Sequence, residues 1–256
     1  MDTISLRRLW ERASLSAQMG IVARTIKRAA VFAMVATATV AASLSHAGEN
    51  KASENTEGGK PLRIVALGDS LTAGFGLQPG QGFPEVLQFA LKSRGHDVEM
   101  VNAGVSGDTT AGGLARLDWV VDDGIDAVIV ELGANDALRG QPPAQAKSNL
   151  DQILTRLAAR RLPVLLAGMR APENWGADYR QQFDAIYPEL AERHGAILYP
   201  FFLDGVALDK KLNLGDGLHP NQRGITVIVE RILPAVEELI MRAKARKAAG
   251  GAAAAK

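Results

Sequence analysis

Along residues 61–245, short apolar runs alternate with longer stretches in which apolar residues recur at helical spacing. Several of the runs contain few polar residues, which is typical of parallel strands covered by helices on both faces. They predict strands over Leu62–Leu67, Val98–Val101, Ala127–Leu132, Val164–Ala167 and Ala196–Tyr199. The intervening stretches predict helices over Pro84–Arg94, Thr110–Val121, Ala144–Arg160, Ala177–His194 and about Asn221–Ala245.

This alternation of strand and helix indicates one α/β domain over residues 61–245. We expect three layers, with a parallel sheet of about five strands between helices. Pro234 lies inside the last predicted helix and predicts either a kink or two separate segments there.

The amino-terminal segment follows a different pattern. Three basic residues between positions 24 and 28 precede an apolar run from Ala29 to Leu44, and small residues stand just before position 48. This pattern is typical of a secretory signal peptide, so we expect cleavage after Ala47 and a periplasmic or secreted protein without a stable membrane anchor. The alternatives are an uncleaved transmembrane anchor and a translation start at Met19.

Composition narrows the possible functions. Residues 1–47 hold six basic and two acidic residues, so their removal takes the formal net charge from +1 to −3, and nothing indicates a nucleic-acid partner. The chain has no cysteine, which excludes disulfides, a thiolate nucleophile and thiolate metal ligands. Residues 48–60 are small and polar and predict a linker, whereas the basic, alanine-rich residues 246–256 predict a frayed helix end or a disordered tail.

A serine stands directly after the first predicted strand, in the turn Gly68-Asp69-Ser70-Leu71. Ligands of open α/β sheets bind at the carboxyl ends of the strands, so we interpret Ser70 as a nucleophile. A serine hydroxyl needs a neighbouring base, and His219 is the histidine with an aspartate, Asp216, three residues earlier. Asp216 can accept the Nδ1 proton of His219 and leave Nε2 to face the serine, which are the roles of a Ser-His-Asp triad.

The other histidines have simpler explanations. His46 leaves with the signal peptide, His96 lies in a turn, and His194 is interpreted as a cap at the end of a helix. The histidines also lack metal-ligand spacing, so we expect no metal and no cofactor.

The anion formed by serine attack needs preorganised donors. Ser70 can offer its backbone N–H, Gly107 allows a close backbone approach, and Asn135 offers its side-chain amide. Gly104 is the alternative to Gly107. Among neighbouring acids, Asp69 is interpreted as a turn residue, and Glu131 is expected to be paired or partly exposed. Three residues are candidates for the walls of the cleft, and these are Leu138, Pro172 and Trp175.

Four blocks of sequence resemble those of the SGNH, or GDSL, hydrolase superfamily, in the family's order. They are Gly68-Asp69-Ser70-Leu71, Ser106-Gly107-Asp108, Gly133-x-Asn135-Asp136 and Asp216-x-x-His219. Further segments resemble the bacterial periplasmic acyl-CoA thioesterase I, lysophospholipase and arylesterase group, namely Arg139-Gly140, Ala185-Ile186-Tyr187-Pro188 and Pro200-Phe201-Phe202.

The resemblance implies a flavodoxin-like three-layer fold, with Ser70 as nucleophile, His219 as base, Asp216 as its orienting residue, and Ser70, Gly107 and Asn135 as the oxyanion hole. It also implies hydrolysis of small acyl esters or thioesters, including acyl-CoA, aryl esters and lysophospholipids. One alternative is a deacetylase of carbohydrates or small esters, and another is a non-catalytic ligand-binding module. The sequence does not indicate an oligomeric state.

Overall fold

The structure, a computed structural model, describes residues 60–254 of the chain. The predicted signal peptide and residues 48–59 of the predicted linker lie outside the described residues. Five parallel strands form one sheet in the order β2-β1-β3-β4-β5, so the predicted α/β fold is confirmed. The strands are β1 (Leu62–Gly68), β2 (Val98–Gly104), β3 (Ala127–Glu131), β4 (Val164–Ala167) and β5 (Ile197–Tyr199).

Helices cover the sheet in two layers. They are α1 (Ser70–Ala73), α2 (Phe83–Ser93), α3 (Thr110–Val120), α4 (Ala134–Leu138), α5 (Pro143–Ala159), α6 (Ala177–Asp184), α7 (Ile186–His194) and α8 (Gln222–Ala254). Helices α2 and α8 pack together in one layer, whereas α3, α5 and α7 pack together in the other. Every residue of the central strand β3 is buried, as expected of a strand covered on both faces.

The last helix settles one alternative at each of two places. Helix α8 is one element through Pro234 and not two separate segments, because the residues on both sides of the proline, including Ile232 and Val236, are buried in the core. It also continues to Ala254, beyond the predicted end near Ala245, so the described part of the tail is helical. Alanine is the strongest helix former, which favours this extension. Among the described residues, no helix combines the length and apolarity needed to cross a membrane.

The helix predicted over 177–194 is two helices, α6 and α7, which meet at Ala185. Pro188 lies in the first turn of α7, where its missing N–H costs nothing but where it cannot continue a preceding helix. Asp184 ends α6, and its carboxylate accepts a hydrogen bond from the backbone N–H of Ala171 at 2.9 Å.

Candidate active site

The ends of three neighbouring strands are level with one another. Gly68 of β1 pairs with Gly104 of β2 on one side and with Glu131 of β3 on the other. Strand β2 is therefore three residues longer than predicted, because Asn102, Ala103 and Gly104 continue the pairing with β1. The loops after β1, β2 and β3 consequently open at one edge of the sheet, which is where open α/β sheets bind ligands.

Ser70 is the first residue of α1, a single helical turn that the sequence pattern did not predict. Asp69 caps this turn, since its Oδ1 accepts a hydrogen bond from the backbone N–H of Leu71 at 2.9 Å. Gly74 ends the turn in the left-handed conformation, with φ of 79°. The cap and the glycine together fix the short turn that carries the serine hydroxyl.

The structure brings Ser70, His219 and Asp216 together. The Nε2 atom of His219 lies 2.8 Å from the Oγ of Ser70, and its Nδ1 lies 2.7 Å from the Oδ2 of Asp216. The other carboxylate oxygen of Asp216 accepts hydrogen bonds from the backbone N–H groups of His219 and Leu218, at 3.0 and 2.9 Å. These N–H groups and the imidazole lower the pKa of Asp216 to about 2.

The loop that carries Asp216 and His219 is closed on itself. Asn213 and Pro220 form an isolated antiparallel bridge, and the backbone N–H of Leu214 donates to the carbonyl of His219 at 2.7 Å. These bonds hold the imidazole in place although its loop is far along the chain from Ser70.

Phe75 packs against the ring of His219, with ring centroids 4.5 Å apart, and 49% of Phe75 is exposed. No sequence motif of the site includes Phe75. Its position between Gly74 and Gly76, just after the serine turn, is the signal that could have found it, because both glycines have positive φ and set the aromatic ring in the loop.

The other described histidines contact carboxylate groups elsewhere. His96 lies 3.3 Å from Glu237, and His194 lies 2.7 Å from Asp151. The residue that caps α7 is Gly195, in the left-handed conformation, so the interpretation of His194 as the helix cap is wrong. Within residues 60–254, no group of three or more potential ligands is placed to hold a metal ion.

Two of the candidate donors, the backbone N–H groups of Ser70 and Gly107, make no hydrogen bond among the described residues. Gly107 has a positive φ of 84°. Gly104 is different, since its N–H already donates to Oδ1 of Asn102 at 3.0 Å. A Cβ on Gly104 would lie 2.2 Å from the backbone nitrogen of Ala73, so its glycine is needed for close packing under α1. The backbone N–H of Gly104 is therefore already engaged, whereas that of Gly107 has no acceptor among the described residues.

Two side chains position the loops that carry Gly107 and Asn135. Arg139, at the end of α4, donates to the carbonyl of Gly107 at 2.9 Å. The amide Nδ2 of Asn135 donates to Oδ2 of Asp69 at 3.1 Å. Burial raises the pKa of Asp69 to about 6, against an ordinary value of 3.8. Neither contact was expected from the sequence.

Glu131 ends β3 directly beneath the serine turn. Of the two expected alternatives, paired or partly exposed, the structure shows the first, since the side chain is fully buried and its Oε2 accepts a hydrogen bond from the hydroxyl of Thr72 at 2.6 Å. Burial and the nearby charge of Asp69 raise the pKa of Glu131 well above its usual range.

The three candidate wall residues are placed differently. Leu138 is 48% exposed at the end of α4, and Trp175 is 42% exposed and packs so closely on Gly140 that a Cβ there would lie 2.7 Å from the indole. Gly140 adjoins Arg139, whose side chain bonds the carbonyl of Gly107, so Trp175 stands beside this part of the site. Pro172 begins the short 3₁₀ turn over Glu173–Trp175, and no described contact joins Pro172 to Ser70 or His219.

Comparison with known proteins agrees with this geometry. Residues 66–226 match the model of a family described as the GDSL-like Lipase/Acylhydrolase family. The chain is 38% identical to Esterase TesA of Pseudomonas aeruginosa over 69% of this chain and 89% of that protein. It is 40% identical to an arylesterase of Vibrio mimicus over 66% of this chain and 84% of that protein. The crystal structure of AlinE4, described as an SGNH-hydrolase family esterase, is 49% identical, with a TM-score of 0.60, and the match covers 70% of this chain and 97% of that one.

Proposed function

From the premise that this chain belongs to the GDSL-like lipase/acylhydrolase family and is a serine ester hydrolase, we propose that Ser70 is its nucleophile. His219 is the general base, and Asp216 orients it and stabilises its charged form. The observation that carries the proposal is the continuous pair of contacts from Ser70 Oγ to Nε2 and from Nδ1 to Asp216.

The reaction has two steps. The Oγ of Ser70 attacks the carbonyl carbon of the ester while His219 accepts the hydroxyl proton, and the resulting oxyanion accepts hydrogen bonds from the N–H groups of Ser70 and Gly107 and from the amide of Asn135. The imidazolium then gives its proton to the leaving alcohol or thiol, and the carbonyl of the acyl-enzyme re-forms. In the second step His219 takes a proton from water, the hydroxide attacks the acyl-enzyme, and Ser70 is released with its proton restored.

Replacement of the nucleophile is the direct test. We expect Ser70→Ala to lower kcat on p-nitrophenyl esters by about 10⁴-fold or more, because the covalent route is lost. The variant should also lose labelling by a fluorophosphonate probe, which reacts with an activated serine. Ser93→Ala, at the far end of α2, is the matched control and should keep both. A Ser70→Ala protein that keeps near-normal turnover would contradict the mechanism, and a wild-type protein that neither turns over esters nor takes the label would indicate a binding module.

We propose aryl and short-to-medium acyl esters or thioesters as the substrate class. We define as the apolar rim five exposed apolar side chains that lie on the loops of the site or on the segment packed against Gly140, namely Phe75, Val105, Leu138, Trp175 and Leu218. Such a rim favours an apolar acyl or aryl group over a carbohydrate. The curated relatives are named as esterase and arylesterase, in keeping with such substrates.

We further propose that the protein is exported to the periplasm or secreted, on the evidence of the signal-peptide pattern that ends at Ala47. Amino-terminal sequencing of the protein produced in a Gram-negative host should give a start at Gly48. A mature protein that starts at Met1 or Met19 would contradict export by cleavage.

A further inference from the structure

Two buried carboxyl groups lie behind Ser70, and the reaction steps above use neither of them. Asp69 precedes the nucleophile in the chain, and Glu131 ends the neighbouring strand β3. Both side chains are fully buried, and carboxyl groups are rarely fully buried unless they are paired or hydrogen-bonded, so their contacts show what each one holds in place.

Asp69 connects two elements of the site with one carboxylate. Its Oδ1 accepts a hydrogen bond from the N–H of Leu71 in α1, and its Oδ2 accepts one from Nδ2 of Asn135 in α4. A side-chain amide nitrogen carries two N–H groups. Asp69 accepts one N–H of the Asn135 amide, so the second N–H of that amide is available to the oxyanion. If the amide of Asn135 rotated to point its oxygen at the anion, its hydrogen bond to Asp69 would be lost.

We propose that Asp69 is a positioning residue that fixes the amide of Asn135 as an oxyanion donor relative to Ser70, and that Glu131 supports it from beneath as a neutral acid. The inference rests on the proposed function, because it assumes that Asn135 contacts the anion.

The surroundings of Glu131 favour its neutral form. Its Oε2 accepts the hydroxyl of Thr72, whereas its Oε1 is buried without a partner among the described residues, so a charge on it would be poorly balanced. A Cβ on Gly68 would lie 2.6 Å from Oε2, and the glycine therefore makes the space in which this carboxyl lies under the turn. The directions of the pKa values agree, since Asp69 ionises near pH 6 and its charge then opposes ionisation of Glu131.

Groups of both signs face Asp69. His219 favours its charged form, and Asp108 opposes it. Asp108 is itself paired with Arg116, whose Nε lies 2.6 Å from its carboxylate. Asp69 is thus the ionised member of the pair with Glu131 at pH 7.5 to 8, where esterase activity would be measured.

A double-mutant cycle tests the proposal. Asp69→Asn keeps the shape of the side chain but places an amide NH₂ opposite Asn135. Asn135 would then have to rotate so that its oxygen accepts from this NH₂, which turns the same oxygen towards the anion. Asp69→Ser keeps a cap for Leu71 N–H but is too short to reach Asn135. We expect each variant, like Asn135→Ala, to lower kcat by about 10²-fold or more with KM changed by less than about threefold, the loss typical of one oxyanion donor.

The decisive comparison is the effect of the Asp69 variants when Asn135 is already alanine. We expect less than about a threefold further loss of kcat in that background, because the donor that Asp69 positions is gone. Full, multiplicative losses would overturn the proposal. The concentration of active enzyme is measured by titrating the reactive serine with a fluorophosphonate, so a partly unfolded variant still gives an interpretable kcat. If Asp69→Asn does not fold, the double-mutant cycle is completed with Asp69→Ser.

Two controls separate positioning from general stability. Asp126→Asn removes another buried acid, at the opposite end of β3, and should leave kcat unchanged. We expect Glu131→Gln to keep kcat within about threefold of wild type, because glutamine can still accept a hydrogen bond from the Thr72 hydroxyl. Glu131→Leu cannot accept this bond and should lower kcat by at least tenfold. If Glu131→Gln lost more activity than Glu131→Leu, the neutral-acid role of Glu131 would be overturned. If Asn135→Ala itself has no effect, the assignment of the oxyanion hole fails and not this inference alone.

Discussion

Two aspartates of the same site have pKa values displaced in opposite directions. The pKa of Asp216 is lowered to about 2 because two backbone N–H groups and the imidazole of His219 bind its charged form. The pKa of Asp69 is raised to about 6 because burial destabilises its charged form more than the hydrogen bonds from Leu71 and Asn135 stabilise it. Asp216 therefore carries its negative charge at any pH well above 2, whereas Asp69 acquires its charge only at a pH near 6.

The raised pKa of Asp69 predicts a pH-dependent stability. Between its ordinary value of 3.8 and its folded value of about 6, the folded chain keeps a proton that the unfolded chain has released. The contribution of this group therefore makes the free energy of unfolding fall as the pH rises from about 4 to about 6. Urea denaturation at intervals of half a pH unit should show wild type losing stability relative to Asp69→Asn across this window.

Asp216→Asn provides the comparison for that measurement. The pKa of Asp216 is lowered, so its contribution to stability is complete above its ordinary value of 3.8 and is lost as the pH falls towards about 2. The difference between wild type and Asp216→Asn should consequently stay constant from pH 5 to 6. A wild-type stability that is flat or rising relative to Asp69→Asn between pH 4 and 6 would contradict the burial of a charged Asp69.

At the scale of elements, the sequence pattern predicted the strands well and the short helices of the site poorly. Each of the five strands overlaps its predicted range, because an apolar run covered on both faces is a strong local signal. Helices α1 and α4 have four and five residues, which is too few to show helical periodicity. Asp69 as a cap and Gly74 as a left-handed end were the available signals for α1.

The candidate site was predictable where residue type and chain order suffice. Ser70, Asp216 and His219 could be chosen because few residues suit the chemistry, and the structure brings them together. The contacts of Asp69 with Asn135 and of Phe75 with His219 were not predictable in this way. They join residues far apart in the chain and depend on side-chain rotamers that only the packed fold selects.

At the scale of the whole molecule, the two edges of the sheet have different properties. The carboxyl edge carries the serine turn and the apolar rim. At the amino edge, Asp126 accepts the backbone N–H of Arg63 at 3.0 Å, and Lys247 of the last helix lies 3.2 Å from the same carboxyl group. Extension of α8 beyond its predicted end thus covers a buried acid at the edge that has no part in the reaction.

The apolar rim predicts how the rate changes with acyl chain length. The residues of the rim come from several loops of the site. Phe75 and Leu218 adjoin His219, Val105 lies two residues before Gly107, and Leu138 and Trp175 lie near the loop of Asn135. An acyl chain on Ser70 would therefore lie against apolar surface. On p-nitrophenyl esters from acetate to octanoate, kcat/KM should rise by up to about fourfold for each methylene that the rim covers, since burial of one CH₂ is worth about 0.8 kcal/mol.

A rim variant shows whether that slope comes from the surface beside Ser70. Trp175→Ala should flatten the increase with chain length while leaving kcat/KM for the acetate ester within about threefold, because only longer chains would reach the indole. Trp119→Ala removes a tryptophan that is 89% exposed near the end of α3, towards the amino edge of the sheet, and should leave the slope unchanged. A wild-type preference for acetate over every longer ester would contradict the rim as an acyl site and favour the deacetylase alternative, in which the apolar side chains contact no part of the substrate.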